Sequence, residues 1–206
     1  MRASAQLQSD RRTEILDAAQ ACFARSGFHQ TSMQAICSEA GMSAGNLYRY
    51  FPSKEAIIAG IAERDRADAA ASFAAAQSAP NFFAGLAGLA RHHLVERTKE
   101  EVGLCAEIMA ESRRNPDVAR IYQSIEADVK GRLAAMLRAA AERGEISRDS
   151  DFDGVTSVLM ALADGISWRR AVDTDFNTES VLPLILHMVK CLLTAPAPAS
   201  SGEPTW

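Results

Sequence analysis

The sequence is poor in the residues that most catalytic and metal sites need. It has only four histidines, His29, His92, His93 and His187, and none stands in a nucleophile, base or zinc-ligand pattern. His92 and His93 are adjacent and diverge on a helix, which disfavours a shared metal site with Cys105 or Glu107. A glycine-rich phosphate loop is also missing. We therefore expect no enzyme activity, no metal and no cofactor.

Long apolar runs are missing as well. The first residues contain no apolar core of a signal peptide, and no stretch reaches the length of a membrane span. The four cysteines, Cys22, Cys37, Cys105 and Cys191, are far apart and form no C-x-x-C pair. This spacing favours buried intracellular thiols. We expect a soluble cytoplasmic protein.

Alternating runs of β-branched residues are absent, whereas alanine is abundant and the prolines fall at breaks or in the C-terminal tail. This pattern predicts an all-α fold. The net charge of −4 is unevenly spread, since residues 1–54 hold six basic and four acidic residues, a net +2, and the remainder is −6. A positive N-terminal part on an acidic body agrees with a duplex partner at one end, although random scatter would also explain so small a difference.

One stretch, residues 28–57, carries most of the functional information. Thr31 or Ser32 can cap a short helix, and Gly41 can end that helix because glycine adopts a positive φ without strain. Ser43 can then cap a second helix over residues 44–50. The pattern predicts a helix-turn-helix followed by the start of a longer helix.

The second of these helices has two distinct faces. Leu47 and Phe51, four residues apart, point to the core with Met42. The residues left facing outward are Ala44, Gly45, Asn46, Tyr48, Arg49 and Tyr50. Small, amide, phenol and guanidinium groups suit a groove of DNA, although an ordinary helical corner in any all-α domain would show the same spacing.

The run AGMSAGNLYRYFPSKEAI resembles the signature of the tetracycline-repressor (TetR/AcrR) family of bacterial transcription regulators, A-G-V-S-x-G-x-L-Y-x-Y-F-x-S-K-E-x-L. The departures, Cys37 for the usual alanine and Met42 for the common valine, are apolar and can pack. The clear motif covers residues 11–61. The resemblance implies an N-terminal three-helix helix-turn-helix domain at 1–53 and a larger C-terminal helical effector-binding and dimerisation domain at 54–194. The tail, 195–206, has the composition of a disordered segment.

By this resemblance the protein would be a sequence-specific repressor that binds a near-palindromic operator in double-stranded DNA as a homodimer. The DNA contacts that the motif implies are Thr31, Ser32, Ser43, Ala44, Gly45, Asn46, Tyr48, Arg49, Tyr50 and Lys54. The alternative is a helical small-molecule binding protein or enzyme in which this N-terminal corner is only structural.

Further helices are predicted over residues 10–26, 54–77, 81–97, 102–113, 116–143, 151–172 and 180–193. Ser180 is the predicted cap of the last helix, which would place Pro183 in its tolerated first turn. The last two helices are apolar around most of their circumference, so each needs a second surface to bury. We expect them to form a two-fold, four-helix subunit interface through Val155, Leu159, Leu162, Ile166, Ile185, Met188 and Leu192.

The resemblance also implies a small-molecule effector, not identified by the sequence, inside the C-terminal domain. The residues predicted to line its pocket are Phe82, Phe83, Leu86, Cys105, Ile108, Met109, Tyr122, Met136, Met160, Asp164 and Trp168. For each of them, ordinary core packing is the alternative. Asp164 and Trp168 are four residues apart on a mostly apolar helix, and their polar atoms suit the orientation of a ligand.

Overall fold

The computed structural model describes the backbone of residues 2–194 and the side chains of residues 10–194, and the regular secondary structure of that range is entirely helical. Its α-helices are α1 (Arg2–Gln30), α2 (Met33–Glu39), α3 (Ala44–Tyr50), α4 (Lys54–Gln77), α5 (Phe82–Arg91), α6 (Lys99–Ser112), α7 (Pro116–Glu142), α8 (Phe152–Val172) and α9 (Thr178–Thr194). A π-helical turn, His92–Glu96, extends α5. The all-α prediction is confirmed for these residues, whereas the predicted disordered tail lies outside them.

Short-range signals set the ends of the first helices, as predicted. Gly27 breaks the regular geometry near the end of α1 with a φ of 74°, and Gly41 has a φ of 61° between α2 and α3. The hydroxyls of Ser32 and Ser43 accept hydrogen bonds from backbone N–H groups three residues on, at 3.1 and 3.4 Å. These caps fix where α2 and α3 begin.

Three later boundaries differ from the predicted ones. The helix predicted from residue 102 begins at Lys99, because Thr98 and Glu101 form a capping box there. The helix predicted over residues 81–97 changes to π geometry at His92. The last helix begins at Thr178, where Asn177 and not Ser180 supplies the capping oxygen, at 3.3 Å from the Ser180 N–H. Pro183 therefore lies in the second turn of α9, where its missing N–H leaves one backbone carbonyl without its helical partner.

The N-terminal core joins α1, α2 and α3 to the start of α4. It consists of Ile15, Leu16, Ala19, Cys22, Phe23, Phe28, Ile36, Cys37, Leu47, Phe51, Ile57, Ile58, Ile61, Leu104 and Val118. The last two residues belong to α6 and α7, and three isoleucines belong to α4. The packing of the helix-turn-helix therefore continues past residue 53 into the rest of the chain.

The C-terminal core lies at the other end of α4 and α7. It consists of Phe73, Ala76, Phe82, Leu86, Leu133, Met136, Leu137, Ala140, Ala141, Ile146, Val189 and Leu193. One row of α8 packs against it through partly buried side chains. Between the two cores, α4 and α7 each carry a short polar stretch that no apolar cluster covers.

Two further properties concern the whole described range. Its helices include none that is both long and apolar enough to cross a membrane. The four cysteines are unpaired; Cys22 and Cys37 are buried and Cys105 is half-buried. The prediction of a buried thiol is wrong for Cys191, which is exposed because it lies on the face of α9 that points away from the C-terminal core.

Candidate nucleic-acid interface and regulatory site

Helix α3 is held by one face and presents the other to solvent. Leu47 and Phe51 are at most 1% exposed and anchor it in the N-terminal core. On the opposite side Ala44 and Gly45 are exposed, and Tyr48 is 51% exposed. The side chains that could enter a groove of DNA are therefore carried on a helix whose position is fixed by apolar packing.

The basic residue of this face is available to a ligand. Arg49 is exposed and has no hydrogen-bond or ion-pair partner among the described residues. Ser32 and Ser43 are also exposed, at the first turns of α2 and α3. Asn46 is half-buried, and the half-buried ring of Tyr50 packs against the N-terminal core. Contacts of these residues with DNA remain predictions.

Two of the residues predicted to contact DNA have structural roles within the domain. Thr31 is 2% exposed, and its hydroxyl is within hydrogen-bond distance of the carbonyls of Gly27, at 2.8 Å, and Cys22, at 3.1 Å. A phosphate contact from this side chain is therefore wrong, because the hydroxyl ties α2 to the end of α1. The ammonium of Lys54 donates to the carbonyl of Phe28 at 2.5 Å and lies 4.3 Å from the centre of its ring. Lys54 can reach DNA only with its remaining donors.

Helices α1, α2 and α3 together form a unit that we call the reading head, and a junction connects it to α6. Glu111 of α6 is 2% exposed, and its Oε2 lies 2.8 Å from Nε2 of His29 at the end of α1. A Cβ at Gly27 would lie only 3.1 Å from the carboxylate of Glu107, so α6 passes close to the α1 kink. Sequence reasoning missed this junction because helical periodicity does not show which distant helix Glu107 and Glu111 contact.

A polar layer lies between the two apolar cores. Asp65 of α4 forms an ion pair with Arg97 at 3.4 Å; burial raises the pKa of Asp65 and the Arg97 charge partly offsets this. Burial, together with the charges of Arg97 and His92, lowers the pKa of His93 to about 4. His93 as a whole residue is exposed, so its ring lies at the edge of the polar layer and not in an apolar core. It is neutral at physiological pH.

The other side of the layer is acidic. Burial raises the pKa of Asp164 on α8, and the charge of Glu126 on α7 raises it further. Burial and the charges of Asp164 and Glu126 also raise the pKa of Tyr122, while burial raises the pKa of Cys105. Neither Asp164 nor Glu126 has a hydrogen-bond or ion-pair partner among the described residues. Two uncompensated carboxylates therefore face neutral hydrogen-bonding groups.

The structure divides the predicted effector residues among several places. Cys105, Tyr122 and Asp164 contribute to the polar layer, and Met109 is half-buried on α6. Those that pack in or against the C-terminal core are Phe82, Phe83, Leu86, Met136 and Met160. Ile108 packs against the N-terminal core, and Trp168 is 54% exposed. Pairing Trp168 with Asp164 as ligand contacts is therefore wrong, because the Trp168 ring turns outward.

Sequence reasoning missed Asp65, His93, Arg97 and Glu126. The sequence did contain a signal for two of these residues. Asp65 lies four residues after Ile61, and Glu126 lies four residues after Tyr122, so each charged residue falls on the same helix face as an inward-facing side chain. A charge on the inward row of a helix indicates an interior polar site.

An apolar face on α8 and α9 points away from both cores. It consists of Val158, Trp168, Val172, Leu184, Met188 and Leu192, each between 46% and 57% exposed except Leu184, which is 62% exposed. We call this set the outward apolar face. Contiguous exposed apolar side chains of this kind are typical of a protein interface.

The predicted interface row on α8 packs against the core of its own subunit, and the interface prediction is wrong for Ile166. Ile166 is buried, and the partly buried residues that pack on the C-terminal core are Val155, Leu159, Leu162 and, from α9, Ile185. Met188 and Leu192 do point outward. The inward and outward rows of α8 are both apolar. The inward row has more large branched side chains and fills the core. The outward row includes the small residues Ala161 and Gly165 beside its larger apolar residues.

Comparisons with known proteins agree with this arrangement. A family model described as "Bacterial regulatory proteins, tetR family" matches residues 15–61, and one described as "BetI-type transcriptional repressor, C-terminal" matches residues 84–194. The HTH-type transcriptional regulator UidR of Escherichia coli K12 is 36% identical over 158 residues, 75% of this chain and 79% of UidR.

Two more relatives cover most of the chain. The HTH-type transcriptional repressor AcnR of Corynebacterium diphtheriae is 26% identical over 185 residues, 88% of this chain and 93% of AcnR. The solved structure of Salmonella enterica GusR is 32% identical with a TM-score of 0.78, and the match covers 89% of this chain and 95% of that one. The exposed helix α3, the sequence motif around it and these similarities over three quarters or more of the chain agree, and the chain belongs to the TetR family of bacterial transcriptional regulators.

Proposed function

We propose that two copies of this chain bind a near-palindromic operator together and repress the adjacent genes until a small molecule releases them. The observation that carries the proposal is the exposed face of α3, held in place by buried Leu47 and Phe51. Such a regulator works where the chromosome is, so we place it in the cytoplasm. The family match to named repressors supports repression over activation.

In this proposal α3 enters the major groove. Ala44 and Gly45 let its N-terminal end approach base edges, while Asn46 and Arg49 hydrogen-bond to bases or phosphates. The phosphate contacts would come from Ser32, Ser43, Tyr48, Tyr50 and the remaining donors of Lys54. Thr31 is no longer part of the set, because its hydroxyl is committed within the domain.

The homodimer would form through the outward apolar face. Apolar side chains on both α8 and α9 allow two copies to pair as a four-helix bundle, in which each face meets its own symmetry mate. The two reading helices would then have to lie about 34 Å apart, or a multiple of that, to meet successive turns of one duplex face.

The effector would bind in the polar layer. The unpaired carboxylates of Asp164 and Glu126, with Tyr122 and neutral His93, favour a hydrogen-bonding molecule over a purely apolar one, since an apolar ligand would leave these groups without partners. Helix α6 would carry the signal, because Cys105 lies at the layer while Glu111 contacts His29 of the reading head. A ligand with different affinities for two positions of α6 would shift the spacing of the heads.

Gel shift with DNA from upstream of the protein's own gene tests the proposal. The variant Arg49→Ala with Tyr48→Ala should weaken binding and reduce its salt dependence, with a loss of about 0.9 in the log–log slope for each phosphate contact removed. Gln123→Ala, at an exposed site on α7, is the matched control and should bind like the parent protein. Equal affinity and slope for all three proteins would refute the assigned DNA face.

A further inference from the structure

Two side chains that can bind a metal ion lie together on the exposed side of α9. His187 and Cys191 are both exposed and lie about one helical turn apart. Each precedes a buried residue by two positions, Val189 and Leu193, so each lies on nearly the opposite side of the helix from the C-terminal core. Cys191 also follows Leu184 of the outward apolar face by seven residues, or about two turns. The pair therefore lies within that face.

The distance between the two side chains suits the coordination of one ion. Nε2 of His187 and Sγ of Cys191 are 3.7 Å apart. Tetrahedral zinc has bonds of about 2.3 Å to sulfur and about 2.0–2.1 Å to nitrogen, which places two such ligand atoms about 3.5–3.6 Å apart. The two donor atoms are thus already close to the separation that a shared ion requires. Two ligands four residues apart on one helix are also how the H-E-x-x-H motif binds zinc.

One chain supplies only half of such a site. A structural zinc ion takes four protein ligands, and the described part of the chain contains no group of three or more histidine, cysteine or acidic residues that could hold a metal. A two-fold axis through the outward apolar face would double the pair, because each residue of such an interface is present twice. His187 lies near the middle of the 17-residue helix α9, so two copies of α9 that cross near mid-length bring these same turns together. The site is complete only in the dimer.

An apolar dimer interface would leave these polar groups in need of partners. On dimerisation the imidazole and the thiol would lose water beside Leu184 and Met188, which offer no hydrogen bonds. The contact within each pair is weak, because a thiol is a poor hydrogen-bond donor and acceptor. A metal ion would satisfy both groups at once. Two imidazoles and two thiolates are a ligand set that tetrahedral zinc favours.

We propose that two copies of the chain bind one Zn²⁺ through His187 and Cys191 of each subunit. Binding deprotonates the two thiols, so the ion replaces two protons, and the two thiolates neutralise its charge between apolar helices. The inference rests on the proposed homodimer, because neither subunit holds enough ligands alone. Zinc that binds only the paired form strengthens the association of the subunits. The concentration of free zinc would therefore influence how firmly the two reading heads are joined.

Titration of the reduced full chain with Co²⁺, a spectroscopic substitute for zinc, tests the ligands. Tetrahedral coordination by thiolates should give intense visible absorption and a sulfur-to-cobalt charge-transfer band, which saturate at one ion per two chains and disappear when Zn²⁺ is added. His187→Gln and Cys191→Ser should each lose this spectrum. His92→Gln, at a half-buried histidine of the π-helical turn, is the matched control and should keep it. Absence of the spectrum from the parent chain, saturation at one ion per chain, or a spectrum that persists in both variants overturns the site.

Sedimentation velocity tests the coupling of zinc to dimerisation. The Kd of the parent dimer should be lower by about tenfold or more with Zn²⁺ than with EDTA, and Cys191→Ser should show no such difference. Leu184→Glu monomers should give no tetrahedral Co²⁺ spectrum, and circular dichroism checks that each variant is folded.

The outcomes separate the zinc site from the proposed function. A dimer that Leu184→Glu dissociates, but whose Kd is the same with Zn²⁺ and with EDTA, overturns the zinc site alone. A parent chain that stays monomeric in both conditions overturns the dimer and the site together. Absence of operator binding by a parent chain that does dimerise would refute the proposed function and leave the metal titrations interpretable.

Discussion

The substitution Leu184→Glu tests the subunit interface most directly. Leu184 is the most exposed large apolar residue of the outward apolar face, at 62%. In an isolated subunit the new carboxylate would be solvated, so the stability of the fold should change by less than about 0.5 kcal/mol. In the proposed dimer each subunit carries the substitution, so two carboxylates are placed at the interface.

The size of the effect follows from that duplication. A buried, unpaired carboxylate loses several kcal/mol of solvation, and even about 2 kcal/mol for each subunit gives about 4 kcal/mol for the pair. This weakens association by roughly a thousandfold. Sedimentation velocity over a concentration series should show dimers for the parent chain and monomers for Leu184→Glu. The variant should also lose affinity for a palindromic operator, because each head then binds alone.

Two controls separate dissociation from unfolding. Gln123→Glu adds the same charge at an exposed site of α7 and should leave the dimer intact. Ile166→Glu, in the buried row of α8, should unfold the domain, which appears as loss of helical circular dichroism. A folded Leu184→Glu variant that sediments as a dimer throughout the series would show that the interface lies elsewhere.

Arg170→Met should lower the free energy of unfolding by about 2–4 kcal/mol in urea, because carbonyls at the end of the π-helical turn lose charge-assisted partners, whereas Arg138→Met at an exposed ion pair should cost no more than about 1 kcal/mol. A similar loss of unfolding free energy in both variants would contradict the stabilisation of the π-helical turn by Arg170. The pKa of His93 is about 4 in the fold against its ordinary 6.5, so the unfolded chain takes up this proton first as pH falls. Stability should therefore decline between pH 6.5 and 4 in thermal melts, and less so in His93→Gln; identical pH profiles would show that the fold does not lower the pKa of His93. Leu47→Ala should cost about 2–5 kcal/mol and reduce operator affinity in gel shifts, because α3 loses its fully buried anchor; full affinity would show that α3 is held by other contacts.

The position of α6 explains how distant sites could influence the reading head. Its last turns contact the end of α1, through Glu111 beside His29 and Glu107 beside Gly27. Its middle residue Cys105 lies at the polar layer. A small rotation of this one helix would therefore change the packing at both places.

The reading head could be predicted because its signals are local. Ser32 and Ser43 cap helices within three residues of themselves, and Gly41 takes its positive φ from the turn it makes. The spacing of Leu47 and Phe51 fixes which side of α3 is buried. Thr31 was the exception, since its burial depends on carbonyls at the end of another helix.

The sequence by itself determined the helical fold, the caps of α2 and α3 and the solvent-exposed side of α3. Only the tertiary structure decided which row of α8 faces inward, since Val155 and Val158 are equally apolar and differ only in what packs against them. The polar layer was decided in the same way. Asp65, Arg97 and Asp164 come together from distant parts of the chain, and helical periodicity reports only on residues within a few turns of one another.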